Sequence, residues 1–161
     1  MRLKLLLLFV LMNSLMFSQN HQSVIEDFFV KEYVGLGFEK TDIDDIRITN
    51  NSYSRSMNLD LVYAQQQYQG IPIHNAIGSF AIKNEKVVNF RHSFYDNLAQ
   101  SIQNTSYVLS PETAISKALE YLDINLTYDL QLIESKSSVS FVYQSETVST
   151  ENIPVQLIYV N

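Results

Sequence analysis

Hydrophobic and polar positions along the chain fall into two rhythms, a helical stripe and a two-residue alternation, and the sequence runs through both twice. The clearest stretch is LVYAQQQYQGIPIHNAIGSFAIKNEKVVNFRHSFY, residues 61–95. It contains three β-rich runs, over 61–68, 71–82 and 87–95. In the first, Leu61, Tyr63, Gln65 and Gln67 fall on one face, and Val62, Ala64, Gln66 and Tyr68 on the other. Gln69-Gly70 and Lys83-Asn84-Glu85-Lys86 break the runs. β-branched and aromatic runs parted by Gly- or Asn-containing breaks predict hairpins. The stretch therefore reads as an antiparallel meander on which the rest of the chain packs.

Before it, residues 23–36 predict a helix. Ser23 is placed as N-cap with Glu26 completing a capping box, and Gly35 and Gly37 end the helix. Ile25, Phe28, Phe29, Tyr33 and Leu36 share one face, the pattern of a buried stripe. Asp42, Asp44 and Asp45 cluster after it, but Asp42-x-Asp44 lacks the glycine and distal Glu of a calcium loop. A solvated turn leading into a strand is the simpler reading. Arg47-Ile48-Thr49 and Tyr53-Ser54-Arg55 are strand-like around Asn50-Asn51.

After Tyr95 the chain is polar, and 98–107 reads as a linker between a first module (20–97) and a second lobe (108–161). Ser110-Pro111-Glu112 opens a second helix, with Ser110 as cap, Pro111 at the first position and Glu112 at the positive end of the dipole. Ala114, Ile115, Ala118, Leu119 and Leu122 form its expected buried face, and strands are expected over 128–133, 139–144 and 154–160. The fold class expected is α+β, two lobes, each an antiparallel sheet with a helix packed on it.

The first residues bear on where the protein works. Arg2 and Lys4 precede an apolar run, and Ser18 offers a small residue for cleavage. Residues 1–19 are the pattern of a secretory signal peptide, implying an extracellular or periplasmic protein with no membrane attachment after cleavage; an uncleaved anchor is the alternative. Without Arg2 and Lys4, nine basic residues face seventeen acidic ones. That balance argues against nucleic acid and against anionic lipid as partners. With no Cys, there is no disulfide, thiol nucleophile or thiolate metal site.

Catalytic signatures are sparse. The three histidines, His21, His74 and His92, form no His-Glu-x-x-His, and there is no Gly-x-Ser-x-Gly elbow. The four glycines, Gly35, Gly37, Gly70 and Gly78, form no phosphate loop. His74 and His92 read as strand histidines, although His74 could face a partner's zinc. Tyr63, Tyr68, Phe80, Phe90, Phe94 and Tyr95 read as cross-strand core pairs rather than a ligand platform. Asn50, Asn104 and Asn125 begin Asn-x-Ser/Thr sequons.

Gln67-Tyr68-Gln69-Gly70-Ile71-Pro72-Ile73-His74-Asn75-Ala76 and Glu85-Lys86-Val87-Val88-Asn89-Phe90 resemble the propeptide of fungalysin- and thermolysin-type secreted zinc metallopeptidases. Phe90-Arg91-His92-Ser93-Phe94-Tyr95 is similar to the Phe-Gly-Asn-Ser-Phe-Tyr of fungalysins. Ser-Pro-Glu-x-Ala-Ile-x-x-Ala-Leu from Ser110, followed by strands, resembles the small α+β lobe that follows, and Val155 to Tyr159 is similar to the strand that leads such propeptides toward the catalytic domain. Glu85 and His74 depart from the family pattern, standing where glycine and an apolar residue are common. The resemblance implies a cystatin-like propeptide arrangement that assists folding of the protease and holds it inactive. It makes a metallopeptidase catalytic domain the partner, in cis or in trans, and the chain is expected to stop before any such domain. It implies no catalytic, cofactor or metal residue here, since zinc belongs to the catalytic domain. Gln67, Gly70, Ile71, Pro72 and Asn75 carry the motif and are the expected protease contact, through an edge near Pro72. A free-standing secreted binding or inhibitor module reusing the fold is the other reading, and an independent hydrolase a third.

Overall fold

The computed structural model describes residues 21–102, 109–124 and 129–160. The expected leader, the second half of the expected linker (103–107) and the sequons at Asn104 and Asn125 lie outside the described residues. Helix α1 occupies 21–32, followed by turns to 37. It is already helical at His21, so Ser23 is not its cap; Glu26 instead accepts from the Gln22 amide at 2.9 Å, which also donates to the Ile46 carbonyl at 3.1 Å. The end is as the glycines suggest. Gly37 has φ 85°, its N–H reaches the Val34 carbonyl, and the Phe38 N–H reaches the Tyr33 carbonyl. This left-handed cap satisfies two otherwise orphan carbonyls and turns Phe38 into the core. Leu36, beyond the last helical turn, is exposed rather than buried.

A one-turn helix, α2 (Lys40–Ile43), leads into four strands, β1 (Ile46–Ser54), β2 (Leu59–Tyr68), β3 (Ile71–Lys83) and β4 (Lys86–His92). They form one antiparallel sheet in sequence order. Both tight turns are two residues long with positive φ at each position: Gln69 and Gly70 at 52° and 78°, Asn84 and Glu85 at 51° and 58°. That is the mirror-image turn whose twist suits a hairpin, and Glu85 adopts it without being glycine. The inner face of the sheet meets α1 in a core that includes Ile25, Phe29, Val62, Ala64, Phe80 and Ile82. Phe29 contacts Phe28, Phe80 and Phe90 edge-on, with centroids 5.3–5.8 Å apart. Phe29 and Phe80 are fully buried and each contribute ~1.5–3 kcal/mol of transfer free energy.

Helix α3 (Leu98–Ser101) occupies the start of the stretch expected to be linker. Helix α4 (Pro111–Tyr121) then begins as expected, with Ser110 Oγ accepting the Thr113 N–H at 3.2 Å and Pro111 in the first turn. It packs on a second antiparallel sheet, β5 (Gln131–Ser137), β6 (Ser140–Gln144) and β7 (Ile153–Gln156), in that order. Ile115, Leu119 and Tyr143 are its buried centre. Ala118 and Leu122 are exposed, Leu122 because the helix ends one residue before it. The molecule is thus α+β, with a four-stranded and a three-stranded antiparallel sheet. No described helix is long and apolar enough to cross a membrane.

A candidate interaction surface at the Gly70 corner

The hairpin corner between β2 and β3 is where separate parts of the chain converge. The Gly70 N–H donates to Asp45 Oδ2 at 2.7 Å, and the Gln67 N–H to the Asp45 carbonyl at 2.8 Å. One aspartate in the turn before β1 therefore pins the corner. Beyond it, the β2–β3 register slips: Gln67 pairs with Pro72 but Gln65 with Ile77. Residues 73–76 bulge opposite Gln66, with Asn75 left-handed at φ 59°. The Gln65 amide gathers the bulge by donating to the carbonyls of Ile73 (2.6 Å) and Ala76 (2.9 Å). Ser93 closes it from the other side, its hydroxyl donating to the Asn75 carbonyl and accepting the Ile77 N–H.

Under the corner lies a buried polar clasp that the sequence did not announce. Gln66 is fully buried; its amide donates to the carbonyls of Asp42 (2.8 Å) and Tyr95 (2.7 Å), and its oxygen accepts the Tyr95 N–H (2.8 Å). Asp42 is also fully buried, not in a solvated turn as expected. Its carboxylate accepts three backbone N–H groups, from Glu39 (2.8 Å), Asn97 (3.0 Å) and Leu98 (2.8 Å). A buried carboxylate is tolerated when donors replace its water. The only hint in the sequence was an Asp three residues after Glu39; the other two donors are more than fifty residues away.

The edge of β3 around Pro72 is filled by the chain itself. β4 pairs only with residues 78–83, leaving the start of β3 uncovered on that side. Tyr159 takes the place: its N–H donates to the Pro72 carbonyl (2.8 Å), and the His74 N–H donates to its carbonyl (2.7 Å), a parallel bridge at Ile73. Its ring lies 6.4 Å from that of Tyr68, and its buried hydroxyl has no hydrogen-bond partner among the described residues. Burial pushes the Tyr159 phenol above its ordinary pKa. The strand expected over 154–160 is accordingly split into β7 and this bridge.

Of the residues singled out for protease contact, Gln67, Ile71 and Pro72 are buried, while Gly70 and Asn75 are exposed. His74 is exposed beside them. His92 stacks on Phe90 at 4.8 Å and meets Phe38 edge-on at 5.1 Å; its Nδ1 accepts the Phe94 N–H at 3.2 Å, and partial burial lowers its pKa. In the second lobe, Tyr143 donates to Glu112 Oε1 at 2.5 Å. This bond holds Glu112 below the usual carboxylate range and pushes Tyr143 up to about 12. An apolar cleft of about 380 Å³ lies nearby, lined by Leu109, Pro111, Ala114, Phe141, Val155 and Leu157. Among the described residues no three His, Cys, Asp or Glu side chains group as metal ligands would.

No family model, no curated protein and no solved structure matches the chain.

Proposed function

We propose that this protein is a secreted propeptide of the fungalysin-like metallopeptidase type, which binds a zinc metallopeptidase catalytic domain, assists its folding and holds it inactive. The observation that carries this reading is the Gly70 corner. The run from Gln67 to Ala76 that resembles the family motif is the place where β2, β3, the Asp45 turn and the Tyr159 strand are joined. The joined corner forms a preformed surface, and a surface that binds only the folded protease stabilises it. Gly70, His74 and Asn75 are the exposed members of that surface. Zinc, on this reading, belongs to the partner.

The filled Pro72 edge favours a second form of the same reading, a free-standing inhibitor module, because the edge that a protease strand would have extended is already paired within the chain. Refolding separates the forms from each other. Denatured fungalysin-type catalytic domain, diluted with and without residues 20–161, should regain more activity after later removal of the module if it is a folding assistant. An unchanged yield, with inhibition of the native enzyme intact, would leave the inhibitor module alone.

A further inference from the structure

The charges of this acidic protein are sorted by face. Of the nine Lys and Arg among the described residues, five lie between 46 and 92: Arg47, Arg55, Lys83, Lys86 and Arg91. Of the seventeen Asp and Glu, only Asp60 and Glu85 do. The register sorts them further. Val62 and Phe80 pair on the inner face and are fully buried against α1, so their neighbours point outward. Arg47 pairs with Gln65 and so with Ile77; Tyr63 pairs with Ser79 and so with Arg91; Lys83 pairs with Lys86. Asp60 belongs to the inner set, opposite Ile82, and reaches His21 at 3.5 Å. Among the described residues of β1–β4, the outward set holds four cations and no carboxylate.

Among the described residues that face is also apolar at its centre and partly exposed. Tyr63 is 39% exposed and Ile77 38%, and neither belongs to an apolar cluster of the molecule. Cations outnumber carboxylates here, Glu85 in the turn between Lys83 and Lys86 being the one acid beside them, and they surround an exposed aromatic and an aliphatic side chain, the composition of a binding patch: charge steers the encounter and apolar area holds it.

We infer that the outer face of the four-stranded sheet, centred on Tyr63 and Ile77 and flanked by Arg47 and Arg91, docks an acidic surface of the metallopeptidase catalytic domain. This rests on the propeptide reading and adds to the Gly70 corner a second contact face and the sign of the partner's charge.

The test is a titration of a purified fungalysin-type catalytic domain with residues 20–161, wild type, Arg47→Glu/Arg91→Glu and Tyr63→Ala, at 50 and 300 mM salt. Lys136→Glu, on the second sheet, is the control, and circular dichroism checks folding. The expected result is inhibition that weakens with salt in the wild type, at least ~10-fold weaker for the double variant with a flattened salt dependence, weaker for Tyr63→Ala, and unchanged for the control. Inhibition by a folded double variant equal to wild type would overturn the docking face while leaving the propeptide reading standing. Absence of inhibition by the wild type would overturn both. If the double variant instead loses only concentration-dependent self-association, or only binding to anionic vesicles or duplex DNA, the face belongs to another partner and the inference fails.

Discussion

At Gly78 a methyl group would sit 2.6 Å from Phe94 Cζ and 2.9 Å from Phe80 Cε2. Gly78→Ala should therefore destabilise the first lobe by ~1–3 kcal/mol through overpacking, read from urea unfolding. Asn75 is a test of backbone rather than contact. Its φ of 59° suits Asn or Gly and penalises a β-branched residue, so Asn75→Val should cost ~2 kcal/mol while Asn75→Gly stays close to wild type. Gln66→Leu would keep the volume but strand the Tyr95 N–H and two carbonyls, at a cost of ~3 kcal/mol. Sequence reasoning reached Gly70 because a hairpin turn needs positive φ, and Phe29 and Phe80 because periodicity marks them. It could not reach Asp42, whose burial depends on N–H groups delivered by Asn97 and Leu98, nor the joint burial of Gln66 and Gln67, which the register slip creates by breaking the alternation.

Between elements, the second lobe is held by one short polar tie and a small core. The Tyr143–Glu112 bond joins β6 to the first turn of α4. Glu112 has a lowered folded pKa, so its contribution is present above the unfolded value of 4.5 and is lost as pH falls through the folded one. Tyr143 has a raised pKa, so its contribution is complete below 10.0 and is lost as pH rises toward about 12. The melting of this lobe should fall off outside that window, and Tyr143→Phe should flatten both limbs; thermal scans from pH 3 to 11 would show it. The Tyr159 bridge makes a separate prediction. Tyr159→Ser, which removes the ring on Tyr68, should speed hydrogen exchange at the His74 amide, whereas unchanged protection would mean the two backbone bonds suffice. Hairpins and α4 were legible because their signals are local. The split of the last strand was not, because its partner is β3, some eighty residues earlier.

For the molecule as a whole, the two apolar clusters share no residue: one is built on α1 and the larger sheet, the other on Ile115, Leu119 and Tyr143. The smaller core buries little, and β5 is exposed along its length, with Leu132 and Ile133 about half exposed. Calorimetry should accordingly show two transitions, the second lobe melting first, and a partner that binds across both should merge them. The proposed recognition of a metallopeptidase catalytic domain is read most plainly in the activity of a purified fungalysin-type catalytic domain titrated with residues 20–161. Saturable loss of activity is expected, with an equivalence point at one module per enzyme. Full activity at a large excess of folded module would rule that recognition out.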